Sequence, residues 1–169
     1  MAGRSGAAAG LLPGLCLMDR FVMGFLRSAL LWLVVGTSLG ATMAMVPAWL
    51  IYRPVHLHLL LLGFVVMIIA GVAYHVIPRF TAAALHSPRL AMVHLWVANT
   101  GLVLLACGFI ARIHHPPLAP WLLSSGGLLS ASGAYLLAWN LWRTLDRAVI
   151  PPARLPRARP LSVQQQPGQ

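Results

Sequence analysis

RPVHLHLLLLGFVVMIIAGVAYHVIPRF, residues 53 to 80, decides how this chain folds. Between Arg53 and Arg79 there is no Asp, Glu, Lys or Arg. A helix needs about 20 mostly apolar residues to cross a hydrocarbon core about 30 Å thick, and His56 to Pro78 meets that need. Three more stretches do the same: Phe21 to Val46, Leu90 to Ile113 and Pro120 to Trp142. Pro47 and Pro54 bound the first connection, Pro78 and Pro88 the second, and Pro116, Pro117 and Pro120 the third. Connections this short make neighbouring helices antiparallel. The expected fold is all-α, an integral membrane four-helix bundle running up and down.

The whole composition agrees. Of 169 residues, 59% are hydrophobic and 8% charged, with a mean hydropathy of +0.81, too apolar for an ordinary soluble domain. Asp19 and Asp146 are the only acidic residues, which excludes enzymes that work through paired carboxylates. The net charge of +10 comes from arginine alone. Those arginines flank apolar runs instead of interleaving with stacking aromatics, so nucleic acid is excluded as a partner. Cys16 and Cys107 lie far apart in apolar surroundings and form neither a CxxC metal site nor a disulfide framework.

Arginine is retained on the cytoplasmic side of short loops. One face collects Arg4, Arg20, Arg79, Arg89, Arg143, Arg147, Arg154, Arg157 and Arg159; the other has only Arg53 and Arg112, leaving aside Arg27 inside the first span. That asymmetry puts both termini in the cytoplasm. The expected organisation is a cytoplasmic tail over residues 1–20, a membrane domain over 21–147 and a disordered cytoplasmic tail over 148–169, rich in Pro, Arg and Gln. The absence of lysine points to a GC-rich bacterial genome and hence to the bacterial inner membrane. Small residues at helical spacing, Gly36 with Gly40, Gly63 with Gly71, and Gly126, Gly127, Ser130 and Gly133, are read as packing positions.

Seven histidines in so apolar a chain are the chemical signal, because ionisable groups at membrane depth are costly and face a partner or a cofactor. His56, His58, His114 and His115 fall at the outer face, and His75 and His94 toward the inner one. His75 precedes Arg79 by four residues and His94 follows Arg89 by five, so at about 1.5 Å per residue they share a depth on adjacent antiparallel helices. His56 and His58 are about 200° apart around a helix, so at most one of them serves as an in-membrane ligand. Imidazole is a common axial ligand of heme iron, and Arg53, Arg112, Arg27 and Arg79 would suit propionates. Tyr74, Gly71, Trp96 and Gly101 would let a flat macrocycle lie between helices. A second reading takes His56, His58, His114 and His115 with Met43 and Met45 as donors to a copper site, with His114 and His115 as its core.

RPVHLHLLLLGFVVMIIAGVAYHVIPRF also resembles the second helix of subunit I in the heme-copper oxidase superfamily, especially the cbb-type oxidases and nitric oxide reductases. There R-P-[VL]-H opens a helix that closes on an aromatic pair and a polar or Pro-Arg exit. Residues 94 to 109 (HLWVANTGLVLLACGF) and 133 to 147 (GAYLLAWNLWRTLDR) are similar to the third and fourth helices of the same group. The resemblance implies that His56 is an axial ligand of a low-spin heme. His75 stands where those oxidases carry an aromatic residue. Such a subunit has about three times as many helices, with its binuclear heme and copper site on helices outside this stretch, so the resemblance implies no independent oxygen reduction.

The expected function is therefore a membrane b-type heme-binding protein, an electron-transfer or accessory subunit of a respiratory, oxidase-like complex. Its expected ligands come from His56, His58, His75 and His94, with Arg53 and Arg79 beside the propionates. A cofactor-free assembly subunit and a copper-handling membrane protein are the alternatives. The expected partners are the lipid bilayer and either other membrane subunits or further copies of the chain. Alkaline phosphatase fused after Pro117 is expected to be active in a bacterial host and inactive when fused after Leu85; the opposite pattern would invert the topology.

Overall fold

The computed structural model describes residues 19–149. The tails expected over residues 1–20 and 148–169 lie almost wholly outside them. Four helices in this range are long and apolar enough to cross a membrane: Arg20–Met45, Pro47–Phe80, Pro88–His114 and Ala119–Val149. Among the described residues there is no strand. The last three helices outrun their apolar runs, because a helix does not stop where the hydrocarbon ends, whereas the first is only shifted by one residue. The fourth continues from Trp142 through Arg143, Asp146 and Arg147, residues that water and headgroups solvate.

Local chemistry sets the ends. Ser87 caps the third helix by accepting a hydrogen bond from the Leu90 amide at 3.2 Å, and Pro88, which has no amide hydrogen to orphan, fills its first turn. The second helix passes Pro78, the expected end of its span, and stops two residues later at Phe80. There Ala82 takes φ 50°, the amide of Ala82 donates to the Arg79 carbonyl and that of Ala83 to the Pro78 carbonyl. This is the bonding pattern of a Schellman termination, with alanine in the left-handed position usually given to glycine.

The second helix is not uniform. It opens with a 3₁₀ segment, Pro47–Tyr52, becomes α-helical over Arg53–His58, widens to i→i+5 bonding over Leu59–Val66, and returns to α geometry over Met67–Phe80. The widened stretch contains Gly63, where a Cβ would fall 2.6 Å from the Trp32 Cβ. Gly36 opposite Leu60 and Gly71 opposite Phe25 keep the first and second helices in one antiparallel register. The main core lies toward the Arg20 end, where Phe21, Val22, Phe25 and Ala29 meet Met67, Ala70 and Tyr74, closed by Ala91 and Leu95 of the third helix.

The third and fourth helices meet backbone to backbone. A Cβ on Gly101 would lie 2.7 Å from the Ser130 amide nitrogen, one on Gly126 2.6 Å from that of Leu105, and one on Gly108 2.9 Å from that of Leu123. As one chain number rises the other falls, so this pair is antiparallel as well. In lipid no hydrophobic drive holds helices together, and close approach through glycine supplies dispersion contacts instead. Most of the small residues read as packing positions do face a neighbour, but Gly127 has nothing within 4 Å of an added Cβ. Gly126→Ala, whose methyl would meet rigid backbone, is expected to lower stability by about 1–3 kcal/mol. Gly127→Ala is expected to change it by less than about 0.5 kcal/mol. Reversible unfolding in mixed micelles, read for both variants side by side, checks the contrast.

Candidate functional site

At the end of the bundle where the first and second helices connect, His56 turns toward the first helix. Its Nδ1 lies 2.8 Å from the Gly36 carbonyl oxygen, and its ring rests on Gly40, where a Cβ would fall 2.6 Å from Cε1. Gly36 and Gly40 thus form a bare strip that only an unsubstituted backbone can offer to a ring. His58 turns the other way: its Nδ1 lies 2.7 Å from the Pro54 carbonyl of its own helix, and its ring packs against Phe109 of the third helix at 4.8 Å. The wide angle between the two histidines thus places them on different neighbours. The Tyr52 hydroxyl meets His114 Nε2 at 2.8 Å, and the two rings stack at an interplanar angle of 25°. Arg53, Arg112 and His115 are exposed at the same end. An apolar cleft of about 230 Å³ opens beside them, lined by Leu39, Trp49, Tyr52, Val55 and Ile110.

The donors expected for copper do not converge. His114 is held by Tyr52, His115 ends its helix, Met43 is buried, and Met45 is 81% exposed. Among the described residues no group of three or more His, Cys, Asp or Glu side chains comes together.

Toward the other end, His94 is 2% exposed, and its Nδ1 lies 3.1 Å from the Tyr74 hydroxyl. Phe25 packs on the same imidazole at 4.8 Å and also on Tyr74. The structure thus brings His94 to Tyr74, the neighbour of His75. His75 Nδ1 is buried without a hydrogen-bond partner among the described residues, and the His75 carbonyl accepts from the Arg79 guanidinium at 2.6 Å. The residues expected to make room for a macrocycle here are already engaged: Gly71 against Phe25 and Leu26, Gly101 against the fourth helix, Tyr74 on His94. Trp96 points away from the bundle at 67% exposure.

Several polar groups that organise the bundle escaped a reading centred on histidine. Trp32 Nε1 donates to Asn99 Oδ1 at 2.9 Å, tying the first helix to the third. Asn140, fully buried, receives the Ser87 amide at 3.0 Å and donates to the Ser87 carbonyl at 2.9 Å, while buried Thr144 accepts from the His86 amide at 3.0 Å. The usable signal was present: an amide side chain inside an apolar span is as conspicuous as an imidazole.

The family model described as cytochrome C and quinol oxidase polypeptide I matches residues 20–160. The chain is similar to the Cbb3-type cytochrome c oxidase subunit CcoN1 of Stutzerimonas stutzeri, 28% identical over 120 residues, a match covering 55% of this chain and 25% of that protein. The chain therefore spans about a quarter of the length of that curated relative. No solved structure matches.

The connection between the second and third helices contains His86, which lies outside the spans. The His86 carbonyl accepts from the Arg147 guanidinium at 3.3 Å, and its Nδ1 is buried without a partner among the described residues. Burial first, then the Arg147 and Arg143 cations, lower its pKa from the usual 6.5. The docked loop therefore binds a proton more weakly than the undocked one. Stability is full above the ordinary pKa and falls as the pH drops through and below it. Lowering the pH from about 7.5 to about 5.5 is expected to reduce the melting temperature, and His86→Gln to shrink that drop, as followed by helical circular dichroism in detergent.

Proposed function

The chain belongs to the cytochrome c and quinol oxidase polypeptide I family, and from that premise we propose that it is a b-type heme-binding membrane subunit that passes electrons within or into a larger respiratory assembly, with His56 as an axial ligand. The observation that carries this reading is the Nδ1 contact of His56 with the Gly36 carbonyl. A histidine that ligates a metal commonly gives its other ring N–H to such a carbonyl, which fixes the tautomer and leaves the Nε2 lone pair free. His56 Nε2 makes no hydrogen bond among the described residues. The donor fits the group: an imidazole, its ring orientation set by a neighbouring helix, beside an apolar cleft and two exposed arginines.

Heme iron would supply a one-electron carrier at that position. This chain's own residues orient and bind. The carbonyl of Gly36 holds the His56 ring, Gly40 lets it sit flush on the first helix, and Arg53 and Arg112 bring guanidinium charge suited to propionates. His58 and His114 are held by Pro54 and Tyr52, so a further ligand would come from exposed His115, from another subunit or from a second copy. In the bacterial inner membrane, with both termini cytoplasmic, this site faces the outer compartment.

A cofactor-free accessory subunit is the second reading, and the internal partners of His58, His94 and His114 favour it. Spectra of the purified chain, oxidised and dithionite-reduced, separate the two. The heme reading expects a reduced α band of b type, with heme content per chain falling at least about tenfold in His56→Ala, as for loss of a ligand worth about 1.4 kcal/mol or more. A chain that folds when produced with heme in excess but purifies with no visible bands leaves the accessory reading.

A further inference from the structure

We propose that the cavity between the second, third and fourth helices is a hydration site, in which water is held between His94 Nε2 and Ser130 Oγ. The cavity measures about 120 Å³, and its lining includes Leu62, Val66, Met67 and Ala98 together with His94 and Ser130. A single water needs about 10–15 Å³ of such space and two to four polar partners, so the cavity has room for more than one.

Ser130 supplies the first clue. Serine inside a helix normally returns its hydroxyl to the carbonyl four residues back. On this same helix Ser125 does so to Trp121 at 2.7 Å and Ser132 to Leu128 at 2.8 Å. Ser130 does not: its Oγ is buried and without a partner among the described residues, turned toward the third helix, 2.8 Å from where a Cβ on Gly101 would stand. His94 supplies the second. Its Nδ1 faces Tyr74, while Cδ2, the carbon beside Nε2, lies 3.4 Å from where a Cβ on Gly133 would stand. The Nε2 edge of the ring is therefore turned toward the fourth helix, where Ser130 also lines the cavity.

A lipid acyl chain in the same space would leave an imidazole nitrogen and a hydroxyl unpaired in a medium where unpaired polar groups are costly. Water satisfies both. It also completes a hydrogen-bonded chain from Tyr74 on the second helix through His94 on the third to Ser130 on the fourth. Nothing in this inference depends on heme at the opposite end.

The test uses the full chain, ¹⁵N-labelled at histidine, in lipid bilayers. Water-edited solid-state NMR is expected to show magnetisation passing from water to the His94 side chain, its signal identified by absence from His94→Gln, and the transfer is expected to drop at least twofold in Ser130→Ala. Xenon is expected not to bind the wild-type cavity, and to bind saturably in the His94→Leu, Ser130→Ala double variant, whose cavity is apolar. Transfer from lipid acyl protons in place of water, full water transfer surviving Ser130→Ala, or xenon entering the wild-type cavity would each overturn the proposal. Should the double variant not fold, the water and lipid transfers in the wild type decide the question alone.

Discussion

Hydrocarbon offers a buried imidazole, amide or phenol no hydrogen bond, and the arrangement of this bundle follows from meeting that need within the protein. Trp32 reaches Asn99 between the first and third helices, Tyr74 reaches His94 between the second and third, and His56 reaches the Gly36 carbonyl between the second and first. Asn140 and Thr144 carry the same logic to the membrane edge, gripping Ser87 and His86 so that the loop lies against the fourth helix. Each tie is short and points in one direction. Together they select one rotation for every helix, which apolar packing alone leaves soft.

Glycine makes those rotations reachable. Between the third and fourth helices, Gly101, Gly108 and Gly126 bring two backbones into contact along much of the span. The first and second helices meet differently, through side chains laid on glycine: Leu60 on Gly36, the His56 ring on Gly40, Trp32 on Gly63. A ring resting on bare backbone, with one nitrogen tied to a carbonyl of that same helix, is suited to an external partner, and among the described residues His56 is placed so. The i→i+5 stretch Leu59–Val66 begins one residue after His58, and such stretches often mark functional positions in helices.

Much of the fold was legible in the sequence because the bilayer imposes a length and a composition on whatever crosses it. The four apolar runs and their proline boundaries needed no tertiary information. What the runs could not convey was where helical bonding ends beyond the hydrocarbon, although Ser87 followed by Pro88 was a readable start signal. The widening after His58 and the left-handed Ala82 depend on how neighbouring helices press on the second, and no local residue type announces them. Depth arithmetic reaches only part of the way toward the Arg20 end. It set His75 and His94 at one height, yet height says nothing of azimuth, and Tyr74, one residue and about 100° away, is the side chain that meets His94. Gly126 and Gly127 differ in the same way: they are adjacent and of one type, and only one of them faces the third helix.

Azimuth also bears on what an electron could do here. Two ligand sites, one near each face, would let a single chain carry an electron across the bilayer. His94, toward the Arg20 end, is instead committed to Tyr74, Phe25 and the fourth helix, in surroundings that leave it 2% exposed. Only at the opposite end is an imidazole oriented by a carbonyl of another helix while keeping a nitrogen unengaged. On the reading proposed above, this chain then handles electrons at one face alone. Movement across the membrane would need a second carrier in a neighbouring subunit. That requirement makes the electron-transfer role a property of the assembly, with this chain supplying the oriented imidazole and the charge around it.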